Sequence, residues 1–233
     1  MKSLVKKIFA NNYSILLRNT FKIKPVRISK YYLNENISMS DAFLFRTDNN
    51  FCSKLRFSDI PKIFFDYNKT SIEINIYDFE NNLLKKDIIY PEKISNELII
   101  DKNYLGGKET FGHFFLFHSV ENFKEDKVSF SNRCYVGFSK FQENFSFVHG
   151  NTYVKAKNLS DGKISSDFTN MSLLMNYKYI VQENFSDVDL IELFICNPTS
   201  QNLNIKINGK KYFLKMNCDK KFEFQGVDKL EIV

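Results

Sequence analysis

Residues 202–216, NLNIKINGKKYFLKM, decide the fold class of this chain. Apolar and polar residues alternate on both sides of Asn208-Gly209, with the period of two that is typical of strands with one face in a core. An Asn-Gly pair between two such runs predicts a type I′ turn, because both turn residues must adopt positive φ angles. We therefore expect an antiparallel hairpin with strands over 202–207 and 210–216.

The same pattern extends outward through most of the chain. Ile72, Ile74 and Ile76 alternate with polar residues, and the run FGHFFLF at 111–117 is apolar on both faces, as in a central strand. Further strands are predicted at 41–47, 51–57, 62–66, 71–77, 83–90, 96–100, 111–118, 130–138, 144–150, 177–182, 190–196, 220–225 and 229–233. Many short strands at regular spacing predict an all-β protein, an antiparallel, jelly-roll-like β-sandwich.

Two segments of the chain are similar to each other. Residues 63–77 (IFFDYNKTSIEINIY) match residues 194–208 (FICNPTSQNLNIKIN) at a constant offset of 131. Each predicts a strand, a polar turn and an alternating strand, so an internal duplication is one interpretation and a shared hairpin pattern is the other.

The domain organisation that we predict has three parts. They are a basic N-terminal extension over 1–30, a first β module over 31–155 and a second β module over 156–233. The two modules could also pack as one continuous sandwich. The polar segment 156–172 is expected to be a long loop or a boundary.

Composition agrees with a folded β protein. Of 233 residues, 43% are hydrophobic and 26% are charged, and 25 Phe with 12 Tyr suit a half-buried sheet surface. The four cysteines are far apart, and each lies in an apolar or alternating run, so we expect buried thiols in a cytoplasmic protein. The sequence contains neither a clean secretory signal nor an apolar run of about 18 residues that would span a bilayer.

Positive charge is concentrated in residues 1–30, which contain eight Lys or Arg residues and no Asp or Glu. The net charge of +6 therefore leaves −2 for residues 31–233, and this argues against nucleic-acid binding. Residues 2–18 predict a helix with a moderately clear apolar arc. One interpretation is that residues 1–20 contact an anionic membrane surface, which would make the protein peripheral at the inner face of the membrane. The alternatives are a terminal helix that packs on the sheet and a frayed tail with a solvated polar face.

The sequence contains no standard catalytic motif, but its three histidines are close together. His113, His118 and His149 fall within 37 residues. A three-histidine zinc or iron centre is one interpretation. However, residues five apart on a regular strand point to opposite faces, which argues against a shared ion for His113 and His118, so we assign neither metal ligands nor a cofactor.

A strand meander gives a better candidate site. If 111–118, 130–138 and 144–150 run up, down and up as neighbours, then His118, His149 and a set of polar side chains meet at one edge of the sheet. Phe145, Phe147 and His149 share one face there, and Gly150 would leave room for a ligand. His118 and His149 are the candidate general acid or base. The candidate ligand-binding residues are Asn132, Arg133, Tyr135 and Asn151.

Two function classes follow from this site. The first is a β-sandwich that binds a small polar or anionic ligand, with a sugar as the favoured class, and that is linked to cell-envelope glycan metabolism at the membrane. The second is an isomerase, epimerase or hydrolase that uses His118 or His149, with Arg133 gripping an anion through two parallel hydrogen bonds. A cupin-like metal centre is a variant of the second. A third, weaker interpretation is an interaction domain whose edge strands pair with a partner.

Overall fold

A computed structural model describes residues 2–9, 11–24, 36–122, 127–132, 134–150, 154–165, 178–181 and 184–233. The helices are α1 (Lys2–Phe9), α2 (Asn12–Phe21) and α3 (Ile60–Phe65). The strands are β1 (Ile37–Ser40), β2 (Phe43–Arg46), β3 (Phe51–Ser58), β4 (Thr70–Asp78), β5 (Leu83–Ile89), β6 (Ser95–Ile100), β7 (Phe111–Val120), β8 (Ser129–Ser131), β9 (Cys134–Lys140), β10 (Ser146–His149), β11 (Lys155–Asn158), β12 (Ile164–Ser165), β13 (Tyr179–Ile180), β14 (Ile191–Asn197), β15 (Leu203–Ile207), β16 (Lys210–Leu214), β17 (Cys218–Phe224) and β18 (Glu231–Ile232). The protein is therefore all-β, as predicted, with short helices.

The chain divides into two compact units, a larger one over residues 30–168 and a smaller one formed by residues 1–29 and 169–233. In the larger unit, two four-stranded antiparallel sheets have the strand orders β2-β7-β4-β5 and β10-β9-β3-β6. Alternate residues of both sheets point into one shared core, so the two sheets form a sandwich. This core contains Phe43, Phe45, Leu55, Phe57, Ile72, Ile74, Ile76, Ile100, Leu105, Phe114, Leu116, Cys134 and Val136.

A third sheet of the larger unit has the order β12-β11-β1-β8, with antiparallel pairs except for the parallel pair β1–β8. It meets the sandwich along β7. The β2–β7 ladder ends at Phe114, and beyond it the Ser40 and Ser38 hydroxyls of β1 accept hydrogen bonds from the backbone N–H groups of Leu116 (2.8 Å) and His118 (2.7 Å). Serine side chains thus satisfy buried backbone donors where the ladder stops.

The smaller unit has a four-stranded sheet, β13-β18-β15-β16, and a two-stranded sheet, β14-β17. Its core is built around Ile207, Leu214, Phe222 and Leu230. Strands β15 and β16 pair antiparallel across Asn208 and Gly209, whose φ angles are 46° and 80°. The hairpin predicted from the Asn-Gly pair is therefore confirmed.

The strand predicted at 62–66 is wrong, because these residues belong to α3 and its C-terminal cap. The Asp59 carboxylate accepts a hydrogen bond from the Lys62 N–H as an N-cap, and Pro61 lies in the first turn, where its missing N–H costs nothing. The aligned residues 194–197 lie instead in β14. The two similar segments thus fold differently in their first halves, and the duplication stays a prediction.

Two segments near the predicted boundaries also differ from expectation. The helix predicted over 2–18 is two helices, because Asn11 accepts a hydrogen bond from the Tyr13 N–H and starts α2. The expected loop 156–172 contains β11 and β12, which belong to the same sheet as β1. The division of the chain at residue 155 stays a prediction.

All four cysteines are free thiols, and Cys52, Cys134 and Cys196 are buried. Among the described residues, no helix combines the length and the apolar character that crossing a bilayer requires.

Candidate functional site

The strand meander predicted for the candidate site is wrong for its first strand, 111–118, which is β7 in the structure. Strand β9 does pair with β10, but its other neighbour is β3. Strand β7 lies in the opposite sheet of the sandwich, between β2 and β4. Strand β7 lies at the centre of its sheet, as its two apolar faces predicted. Nine residue pairs join it to β4.

His118 lies inside the protein as a result. Its side chain is only 2% exposed, and burial lowers its pKa from 6.5 to about 4. Asn132 is also buried, and its Nδ2 donates a hydrogen bond to Ser40 Oγ at 3.1 Å. The Asn132 side chain and the His118 backbone N–H therefore support the junction with β1, and neither side chain is exposed to a ligand from solvent.

The three histidines do not assemble one metal centre. His113 and His118 point to opposite faces of β7, as their spacing requires, and His149 lies on the other sheet of the sandwich. His113 is fully buried, and its ring stacks on Tyr77 with the ring centroids 5.4 Å apart.

Tyr135 and His149, in contrast, do lie together on the outer face of the sheet β10-β9-β3-β6. They are directly opposite each other on β9 and β10, and their ring centroids are 4.3 Å apart. Tyr135 is 46% exposed, and His149 is exposed as well. Arg133 and Asn151, the other predicted ligand-binding residues, lie outside the described residues.

Further aromatic and charged side chains continue this outer face. Across the four strands, the register aligns His149 with Tyr135, Tyr135 with Arg56, and Arg56 with Glu97. The next row contains Phe147, Gly137 and Lys54. We call this surface the aromatic face; it comprises Lys54, Arg56, Glu97, Tyr135, Phe145, Phe147 and His149.

Ionic and aromatic contacts fix the side chains of the aromatic face. Arg56 Nε donates to Glu97 Oε1 at 2.6 Å, and the Arg56 guanidinium carbon lies 4.5 Å from the centre of the Phe147 ring. Lys54 Nζ lies 4.4 Å from the centre of the Phe145 ring and 3.7 Å from Glu97 Oε2. The hydrogen bond from Arg56 lowers the pKa of Glu97, so this carboxylate stays an acceptor at neutral pH.

Glycine at position 137 lets the Phe147 ring lie flat on the sheet. A Cβ atom at this position would come within 2.8–2.9 Å of three Phe147 ring atoms. Gly150 does not make room for a ligand as we expected, because a Cβ there would come within 2.4 Å of the Phe43 ring, which occupies that space.

A cleft of about 290 Å³ lies at the end of the same sheet where β3 begins, and the buried Cys52 is one of its lining residues. Its other lining residues are mostly amides, charged groups and phenylalanines: Thr47, Asn50, Phe51, Asp101, Lys102, Asn103, Glu109, Phe141 and Gln142. These groups offer both donors and acceptors to a polar ligand.

A buried charge cluster lies on the opposite sheet, on the side of β4 away from the shared core. The Glu73 carboxylate accepts hydrogen bonds from Asn75 Nδ2 (2.8 Å), Lys157 Nζ (2.8 Å) and Lys86 Nζ (3.0 Å). Burial by itself raises the pKa of Glu73, but these three donors outweigh it and lower the pKa below its usual value. A carboxylate held by three donors joins β4, β5 and β11 and is not poised to transfer protons.

Sequence reasoning found two members of the aromatic face among the candidate residues and also placed Phe145, Phe147 and His149 on one side of a strand. It missed Lys54, Arg56 and Glu97. The alternation in β3 places Lys54 and Arg56 on one face, but the partner strands β6 and β9 are far away in the sequence, so the register could not be read from it.

Known proteins offer no guide to the use of this surface, since a comparison with protein-family models, curated proteins and solved structures gives no match to this chain.

Proposed function

We propose that the aromatic face binds carbohydrate, with a sugar ring lying against the exposed pair of Tyr135 and His149. A sugar ring has an apolar C–H side and a rim of hydroxyl groups. The aromatic rings offer flat apolar surface for the first, and the Arg56–Glu97 pair offers fixed donors and an acceptor for the second. The observation that carries the proposal is the exposed Tyr135–His149 ring pair in register with this ion pair.

Charge favours a sugar over a polyanion as the ligand. Arg56 and Lys54 both contact the Glu97 carboxylate, so they do not form an unopposed cationic track. Residues 31–233 also carry a net charge of −2, which disfavours binding to phosphate chains. The cleft at the start of β3 in the same sheet gives room for a second sugar unit of an oligosaccharide.

The test is binding of the purified full chain to a printed array of neutral and acidic oligosaccharides, followed by titration calorimetry on the glycans that it retains. We expect Tyr135→Ala to weaken binding by about tenfold or more, because hot-spot aromatics dominate the affinity of such sites. Phe147→Ala should weaken binding as well, because it removes the ring on which the Arg56 guanidinium rests. Gly137→Ala should weaken binding too, since it displaces the Phe147 ring from the sheet.

Tyr90→Ala is the matched control, because Tyr90 is a more exposed tyrosine of the same unit, at the end of β5 and away from the aromatic face. Its binding should equal that of the unaltered chain. The proposal is wrong if the array retains no chain, or if the Tyr135 and Phe147 variants bind as tightly as the Tyr90 variant.

A further inference from the structure

The helices of the smaller unit carry an exposed apolar stripe. On α2 the outward residues are Tyr13, Leu16, Leu17 and Phe21, which recur every three or four positions and thus follow one side of the helix. Their exposure ranges from 56% to 77%. On α1, Leu4 and Ile8 are exposed in the same way, one helical turn apart. We call these six residues the helical stripe.

Helix α2 packs on the rest of the smaller unit through the side that carries Arg18 and Asn19, which leaves the helical stripe facing outward. Arg18 is 7% exposed, and it donates hydrogen bonds to Phe9 O (2.7 Å) and Gln201 Oε1 (3.3 Å). Asn19 Oδ1 accepts a hydrogen bond from the Asn202 N–H at 2.9 Å. This orientation is the reverse of the usual one, in which the apolar side of a surface helix packs on the core.

The charged residues of the segment that carries the helical stripe have a single sign. Neither helix has an acidic residue in its first turn, and residues 1–30 contain no acid at all against eight basic residues. The exposed Lys22 and Lys24 follow α2 directly. An apolar stripe whose charged neighbours in the sequence are all basic complements a surface that is both apolar and negatively charged.

We infer that the helical stripe binds the surface of a bilayer that contains anionic lipid. Both helices would lie in the plane of the interface, with the stripe among the acyl chains and the lysines at the headgroups. Helices of 8 and 10 residues are too short to cross a bilayer, which requires about 20. The hydrogen bonds of Arg18 and Asn19 hold α2 in place before the protein binds lipid. Binding therefore requires little further ordering of this helix.

The experiment exploits the absence of tryptophan from this chain. Leu17→Trp places the only tryptophan of the chain on the stripe, and Phe64→Trp places it instead at an exposed site on α3 in the larger unit. The full chains are mixed with phosphatidylcholine vesicles that contain about 30% phosphatidylglycerol, and with vesicles of phosphatidylcholine alone. We expect the emission of the Leu17→Trp chain to shift to shorter wavelength with the anionic vesicles, while that of the Phe64→Trp chain does not.

Sedimentation with the same vesicles gives the affinity. The double variant Leu16→Ser, Leu17→Ser should partition about tenfold or more weakly than the unaltered chain, because two apolar side chains are lost from the buried surface. The control is Phe64→Ser, since Phe64 is at least as exposed as Leu16 and Leu17 but lies in the larger unit. About 0.5 M salt should also release the unaltered chain, since it screens the attraction to the headgroups.

Three outcomes overturn the inference: an unaltered chain that stays in the supernatant, a double variant that sediments equally well, and a stripe that affects only the self-association of the chain. The last result would make a second copy the partner of the stripe. A failure here is distinguishable from a failure of carbohydrate binding, because the double variant keeps every residue of the aromatic face.

Discussion

His118 and Glu73 are buried polar side chains on opposite sides of the same sheet. Within the described residues, Nδ1 of His118 has no hydrogen-bond partner, so the side chain is stable there only in its neutral form. The Glu73 carboxylate, with three donors, is stable in its charged form. Burial therefore keeps the His118 imidazole neutral, while hydrogen-bond donors keep the Glu73 carboxylate charged.

The folded protein should lose stability as the pH falls from about 6.5 to 4. The pKa of His118 is about 4 in the folded state against 6.5 unfolded. In that pH window the unfolded chain binds a proton that the folded chain does not, so the free energy of unfolding should fall by about 3 kcal/mol. Urea unfolding of the unaltered chain and of His118→Gln, measured across this range, checks the prediction.

His149→Gln is the control for that measurement, because it removes an exposed histidine and leaves the buried one. The fall with decreasing pH should persist in this variant and shrink strongly in His118→Gln. Equal pH profiles for the two variants would show that His118 is not the group responsible.

Replacement of Glu73 by Gln should lower the free energy of unfolding at pH 7 by about 2 kcal/mol, because it leaves the largely buried Lys157 ammonium without its carboxylate. The pKa of Glu73 is lowered in the folded state, so its contribution is present above the ordinary pKa and is lost as the pH falls through the folded value. The stability difference between the unaltered chain and Glu73→Gln should therefore narrow in acid.

Glu97→Gln is the matched comparison in urea unfolding at pH 7. Its partner Arg56 and its own side chain are about half exposed, and such surface pairs contribute roughly 0–1 kcal/mol. A loss at position 73 no larger than that at position 97 would contradict the prediction.

At the element scale, the β15–β16 hairpin shows how much local sequence can specify. Its turn needs positive φ at two consecutive residues, and Asn and Gly are the residues that tolerate this best, so the pair predicted both the turn and its register. Strand β4 was predicted equally well from its alternating isoleucines. The prediction of a strand at 62–66 was wrong because a run of apolar residues does not distinguish a short helix from a strand. The N-cap hydrogen bond of Asp59 favours the helix.

Gly209→Ala should destabilise the protein by about 1 kcal/mol, because alanine pays a steric cost at a φ angle of 80°. No atom lies within 4 Å of a Cβ at this position, so the loss would come from the backbone and not from a clash. Gly209→Asn should recover most of the loss, since asparagine tolerates positive φ. Thermal unfolding of the three chains measures this, and an asparagine variant no better than the alanine variant would refute the explanation.

At the scale of the whole molecule, the proposed carbohydrate and lipid contacts belong to different units. The aromatic face lies entirely within residues 30–168, while the helical stripe lies within the unit formed by residues 1–29 and 169–233. The charge asymmetry of the sequence follows this division. The smaller unit carries a net charge of +7, all of it from residues 1–29, and the larger unit carries −1. Each unit can thus be altered at its own surface without changing the residues of the other.

The sequence by itself determined the all-β class, most of the strands, the Asn208-Gly209 hairpin and the segregation of positive charge. Each of these depends on residues within one strand, one turn or one helix. The tertiary structure alone decided that His118 is buried while His149 is exposed, and that Arg56 joins Tyr135 on one face. It also decided that α2 packs through Arg18. These outcomes depend on pairing between strands that are distant in the sequence. The burial of a shared core selects that pairing, and no local sequence pattern specifies which strands will pair.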